Sequence, residues 1–131
     1  MAKFMMIGPL SRDRIVKKDT VFNSIGGAVY YQSAVFSAFG VNNTVVTTLA
    51  ESDKDLLQEF HEITRVVPVY TDQTMEFENI YPDDDPNHRI QRSNIPSNPI
   101  LPTDFRDIKW ETYNALLLSP LSPYDLPFKT I

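Results

Sequence analysis

The chain has 131 residues and a formal net charge of −5, with 42% of residues hydrophobic and 22% charged. This is the size and composition of one soluble globular domain, and an acidic balance with no basic run longer than Lys17-Lys18 argues against a nucleic-acid surface. The absence of cysteine excludes disulfides and cysteine-based zinc sites and suits a cytoplasmic setting.

The first apolar run, Phe4-Met5-Met6-Ile7, is too short for a membrane span of about 20 residues and lacks the cleavage site of a signal peptide. Stopped by Gly8-Pro9, it predicts a strand buried on both faces, as in a parallel sheet. Ile15-Val16 and Thr20-Val21-Phe22 flank polar Lys17-Lys18-Asp19, the pattern of a small hairpin with an exposed tip. Gly26-Gly27 opens a small-residue helix that runs to about Phe39. On it Ala28, Tyr31, Val35 and Ala38 share one apolar face, with Ala34 and Phe39 beside them. Gly40 stands where a left-handed C-terminal residue is wanted. Val45-Val46-Thr47-Thr48-Leu49 predicts a second buried strand. Ser52 or Asp53 can cap a helix through Phe60, with Leu56, Leu57 and Phe60 facing inward. Strand, helix, strand, helix with short connections favours a parallel sheet.

The pattern then changes. Arg65 to Tyr70 reads as a strand broken by Pro68, which places it at a sheet edge. Thr74 to Tyr81 alternates in places, and His88 to Arg92 can answer it across the turn Pro82-Asp83-Asp84-Asp85-Pro86-Asn87. Three adjacent aspartates raise a metal site, but a solvated loop tip is the preferred reading. Ser93 to Asp104, with Pro96, Pro99 and Pro102, reads as an extended connector, and Ile95, Ile100 and Leu101 suggest that it is pinned to a surface. Ala115-Leu116-Leu117-Leu118 predicts a third buried strand. Asp125-Leu126-Pro127 resembles a helix start with only about one turn of chain after it, so the chain reads as truncated.

Among candidate site residues, Asp13 follows the first strand by a few positions, where ligands of open α/β sheets bind. Its carboxylate could accept hydrogen bonds from the hydroxyls of a sugar-like molecule. Taken alone, it reads first as a turn residue or an ion-pair partner of Arg12 or Arg14. Gly26 and Gly27 would let a ligand approach the backbone at a helix start, yet a glycine pair alone also fits close packing or a positive φ. Neither a dinucleotide fingerprint nor a phosphate loop is present. His61 and His88 read as surface residues, and Glu76 and Glu78 share one strand face, read as solvated.

Together these pieces are more specific. A strand ending in Gly8-Pro9-Leu10-Ser11-Arg12-Asp13, a hairpin, then Gly26-Gly27, a small-residue helix and Gly40, followed by Val45 to Leu49 and acidic Glu51-Ser52-Asp53, resembles the opening of the ribokinase-like (pfkB-type) carbohydrate and nucleoside kinases. The resemblance implies an α/β fold: a partial Rossmann-like three-layer core of mostly parallel strands plus an antiparallel β lid, at about 12–24 and 64–93. It implies one domain over 1–131, the N-terminal acceptor-binding portion of a kinase. Asp13 matches the acidic residue that binds acceptor hydroxyls, and Gly26 and Gly27 match the glycines lining the acceptor pocket. Ser11 stands at a polar substrate-contacting position. Tyr31 stands where many members have Asn, which speaks against plain ribose recognition.

The family's Gly-Ala-Gly-Asp motif, which carries the catalytic base and the anion hole, does not occur in the sequence. The expectation is therefore no catalytic residue and no metal in this chain, ATP and Mg²⁺ in a full-length parent, and an inactive fragment. The expected partner is a sugar, nucleoside or polyol, and a homo-oligomer through the lid is expected. Two other readings stand beside this one. The chain could be a non-catalytic metabolite-binding or interaction module, or a different nucleotide-binding enzyme that uses Gly26-Gly27 as a phosphate cradle.

Overall fold

The computed structural model describes residues 2–127 and 131. Two four-stranded sheets are built from eight strands: β1 (Lys3–Ile7), β2 (Ser11–Lys17), β3 (Thr20–Gly26), β4 (Asn42–Ala50), β5 (Thr64–Thr71), β6 (Met75–Tyr81), β7 (Ile90–Asn94) and β8 (Ala115–Leu118). The core sheet runs β5-β4-β1-β8 and every pairing in it is parallel. Helix α1 (Ala28–Ala38) and a 3-10 segment, Glu51–Glu59, cover one face. On that side Met6, Leu10, Ile25, Val29, Val45, Leu49, Leu56 and Phe60 form one buried cluster. On the other face the connector packs Ile100 and Phe105, with Leu126, against Met5, Ile7 and Val46. The expected three-layer parallel core is present.

β4 shows why a sheet covered on both faces need not read as wholly apolar. Every residue from Asn43 to Ala50 is buried, four of them polar. Two of the polar ones are held by partners: Asn43 donates to Ser37 Oγ at 3.2 Å and accepts from Thr64 Oγ1 at 2.9 Å, and Tyr113 donates its hydroxyl to Thr44 Oγ1 at 2.9 Å, whereas Thr47 Oγ1 is buried without a hydrogen-bond partner. Buried polar groups cost little once so paired.

Several expectations need correction. The apolar face of α1 turns outward: Tyr31 and Val35 are each 57% exposed and Phe39 is 81% exposed. The face on the sheet is Val29, Ser33 and Ser37, because hydroxyls that bond Tyr30 O and Thr64 Oγ1 let the helix lie close. The helix does end as expected. Gly40 takes φ +68°, its N–H donates to Ser37 O at 3.0 Å and that of Val41 to Phe36 O at 2.9 Å, a Schellman ending. The segment after β4 is a 3-10 stretch starting at Glu51, and neither Ser52 nor Asp53 caps it. Leu56 and Phe60 are buried and Leu57 partly so, as the pattern predicted.

The lid boundaries also shift. Thr64–Thr71 does not belong to the lid. It pairs with β4 at the edge of the core sheet, since Val66 packs on one cluster and Val67 and Val69 on the other. The edge position tolerates Pro68. The second sheet, order β3-β2-β6-β7, is mixed rather than antiparallel: its two hairpins are antiparallel, but β2 and β6 join them in parallel. β8 is an edge strand with Leu116 and Leu118 about half exposed, rather than a buried one. At the end of the chain, Asp125 caps no following turn among the described residues. It is buried and accepts from the N–H groups of Leu121 and Ser122, both at 2.7 Å. The rest of the expected helix, Phe128 to Thr130, lies outside the described residues.

Candidate functional site

The site is assembled where the small sheet leaves the core sheet. Beyond β1 the chain still follows β4, with Gly8 N–H on Val46 O at 3.1 Å and Leu10 N–H on Thr48 O at 3.2 Å. β2 therefore starts at the carboxyl end of the core sheet. Ser11 and Asp13, two apart on β2, point to the same face, and Ser11 Oγ donates to Asp13 Oδ1 at 2.7 Å. Gly26 lies opposite Ser11 in the ladder. A Cβ there would overlap Asp13 Oδ2 and lie 2.5 Å from Ser11 Oγ. Gly27 turns the chain from β3 into α1 at φ +110°, and a Cβ there would sit 2.6 Å from Pro9 O. Tyr31, one turn into α1, reaches back with its hydroxyl to Ile25 O at 3.4 Å.

An open cleft of about 810 Å³ lies between β2, β3, β6, α1 and the 3-10 segment, and both Asp13 and Tyr31 line it. Ser11, Gly26 and Gly27 are not part of its lining. Ser11 and Gly26 bear on the cleft through Asp13, and Gly27 through the path of the backbone. Of the sequence-predicted residues, Asp13 and Tyr31 therefore share the cleft and Ser11 and Gly26 pack against Asp13, but Gly27 stands against Pro9 and Leu10, and neither glycine lines the cleft as the resemblance implied.

The charges are arranged otherwise than expected. Asp13 pairs with neither neighbouring arginine, because adjacent residues of a strand point to opposite faces. Arg12 reaches Asp53 and Asp55, and Arg14 pairs with Glu78. Glu78, read as solvated, is the meeting point of Arg14 and of Arg92 at 3.7 Å, and both Glu76 and Glu78 line the cleft. The hydrogen bond to Asp53, reinforced by the charges of Asp53 and Asp55, raises the Arg12 pKa against the opposing effect of burial. Burial pushes Asp53 upward, but the hydrogen bonds from Arg12 and Thr74 and the charge of Arg12 outweigh it and hold this carboxyl below its ordinary value.

Sequence reasoning missed Arg12, Asp53 and Thr74 as a linked group, and no local pattern ties residues so far apart. It also missed Asn79 of β6, whose Oδ1 is buried without a hydrogen-bond partner. Asp83 and Asp85 accept from the N–H groups of Asp85 and Asn87 at 2.9 Å, the bonding of a loop tip. His88 bonds Asp83 at 2.6 Å, and this hydrogen bond is the main cause holding the Asp83 carboxyl low. Among the described residues no group of three or more His, Asp or Glu side chains is placed to hold a metal, and no helix is long and apolar enough to cross a membrane.

No protein-family model and no curated protein sequence matches the chain, but solved structures do. A pyrophosphate-dependent kinase of the ribokinase family, in a sulfate complex, is 25% identical with a TM-score of 0.75, over 95% of this chain and 43% of its own. A pyrophosphate-dependent kinase of that family with a pyrophosphate analogue and myo-inositol is 21% identical, with a TM-score of 0.74 over 97% of this chain and 43% of its own. Ribokinase from Giardia lamblia is 13% identical, with a TM-score of 0.65 over 90% of this chain and 42% of its own. The chain has a ribokinase-like fold. It spans less than half the length of these kinases.

Proposed function

We propose that the chain is the acceptor-binding portion of a pfkB-type kinase that phosphorylates a hydroxyl of a sugar, nucleoside or polyol. The observation that carries this reading is the convergence of Ser11, Asp13 and Gly26 at the carboxyl end of the core sheet. The Ser11 hydroxyl occupies Asp13 Oδ1, which leaves Oδ2 to accept a hydroxyl of the acceptor. Gly26 contributes by having no side chain where Asp13 must stand. Tyr31 presents a ring over the cleft, suited to a cyclic polyol face or a base more than to plain ribose. A homo-oligomer and a cytoplasmic location complete the proposal.

The donor in the parent enzyme is proposed to be ATP with Mg²⁺, with pyrophosphate as the rival because two of the kinases similar in fold use it. The residues of this chain do not fit either donor: the sequence has no Gly-Ala-Gly-Asp run, and among the described residues no group of three or more His, Asp or Glu side chains is placed to hold a metal. Phosphoryl transfer depends on metal, positioning and fixed donors around the phosphates, so the chain alone is expected to transfer none. That same lack favours a second reading, a metabolite-binding module without chemistry.

Separate calorimetric titrations with myo-inositol, ribose, adenosine and ATP test the proposal. Binding of an acceptor without ATP is expected, and Asp13→Asn should weaken it at least tenfold, about 1.4 kcal/mol, with the thermal midpoint little changed. Tight ATP binding with no acceptor binding would favour a phosphate cradle at Gly26-Gly27 instead. A substrate-dependent ADP signal from the purified chain would overturn the expectation of inactivity.

A further inference from the structure

We propose that Asp53 is a positioning residue that fastens both central strands of the small sheet to the end of the core sheet, and so fixes where Asp13 stands in the cleft. Its consequence for binding rests on the acceptor role of Asp13, whereas the fastening stands on geometry alone.

Asp53 lies three residues beyond β4, at the one position where the 3-10 segment leaves helical geometry, φ −103° and ψ 15°. Its Oδ1 receives Arg12 Nε at 2.8 Å and lies 2.7 Å from Arg12 Nη2. Its Oδ2 receives Thr74 Oγ1 at 2.5 Å, and Thr74 Oγ1 in turn accepts the Ala50 N–H at 2.8 Å. Arg12 is the second residue of β2, and Thr74 immediately precedes β6. These two strands are the parallel neighbours at the centre of the small sheet. One carboxylate therefore holds the roots of both.

The remaining charges sharpen this assignment. Asp55 adds a second contact to Arg12 at 3.3 Å. The other ion pairs among the described residues join Arg14 and Arg92 to Glu78, Lys18 to Asp84 and His88 to Asp83. All of those lie within the small sheet and its turns. The charged links between the two sheets are thus the ones made at Asp53 and Asp55. Arg12 and Asp13 are consecutive and face opposite sides of one strand, so anchoring the first fixes the height and twist of the second. Without the anchor, the sheet hangs on short backbone connections, on the hydrogen bond from Ala50 N–H to Thr74 Oγ1 and on the packing of Leu10 and Ile25, and can pivot.

Hydrogen–deuterium exchange resolved by peptide, on the whole chain, tests this, because local opening and global unfolding separate in such data. In Asp53→Ala and Arg12→Gln, amide exchange in β2 and β6 should rise about tenfold or more while β1 and β4 stay unchanged. Thr74→Val should raise exchange mainly in β6, and Asp53→Glu should restore part of the protection. Affinity for myo-inositol should fall in step with the loss of protection. Unchanged exchange in the small sheet, or an equal rise in both sheets, would overturn the proposal. Should Asp53→Ala fail to fold, Arg12→Gln gives the same comparison at a half-exposed side chain. Failure of the wild-type chain to bind myo-inositol bears on the proposed function and leaves the exchange comparison standing.

Discussion

A β-carbon at position 26 would fall where the Asp13 carboxylate and the Ser11 hydroxyl stand, so these side chains would have to move. Gly26→Ala should therefore displace Asp13, costing about 1–3 kcal/mol as overpacking and removing acceptor binding. Gly40→Ala makes a clean contrast. Position 40, unlike position 26, needs a positive φ, but a Cβ there would meet nothing within 4 Å. It should cost about 1 kcal/mol and leave binding intact. Urea unfolding and a myo-inositol titration on the two variants check the pair. Asp53 supplies a pH dependence. Its folded pKa lies below its unfolded one, so its contribution to stability is present above the ordinary carboxylate range and is lost as pH falls through the lower folded value. Urea midpoints measured from pH 7 to pH 3 should fall at the acid end, and Asp53→Asn should flatten that fall relative to wild type.

At the level of elements, α1 separates two kinds of burial. Val35→Glu lies on the exposed face and should change stability by no more than about 0.5 kcal/mol. Ser37→Ala removes a partner of Asn43 and Thr64 in a buried network and should cost about 1–3 kcal/mol; thermal melts of both variants decide. The same helix shows what the sequence made legible. Its ends were readable, because Gly27 and Gly40 answer local backbone demands. Its orientation was not, because serines with hidden partners replaced the apolar residues that periodicity looks for. The strands β1 and β4 were readable as continuous runs, whereas β5 was assigned to the wrong sheet because pairing is decided by a distant partner. Asp13, Ser11 and Gly26 could be read together through a family-like spacing. The link from Arg12 to Asp53 could not, since 41 residues separate them.

For the molecule as a whole, the core sheet of the described residues ends at β8, and Leu116, Leu118 and Trp110 stand 45%, 46% and 41% exposed there. An apolar strand edge of this kind promotes association. Sedimentation velocity should show concentration-dependent self-association that Leu116→Lys with Leu118→Lys reduces. Loss of association on Lys substitution of Val21 and Phe22 instead would move the contact to the small sheet.

The parallel pairing of β2 with β6 also sets an order of assembly. Ser11 pairs with Met75 and Lys17 with Tyr81, so the inner edge of the first hairpin has no native neighbour until the chain has passed through α1, β4 and β5. Closing so long a loop is slow relative to forming either hairpin. During synthesis the β2–β3 ribbon must wait with one side open, and the cleft takes shape only when the second ribbon arrives.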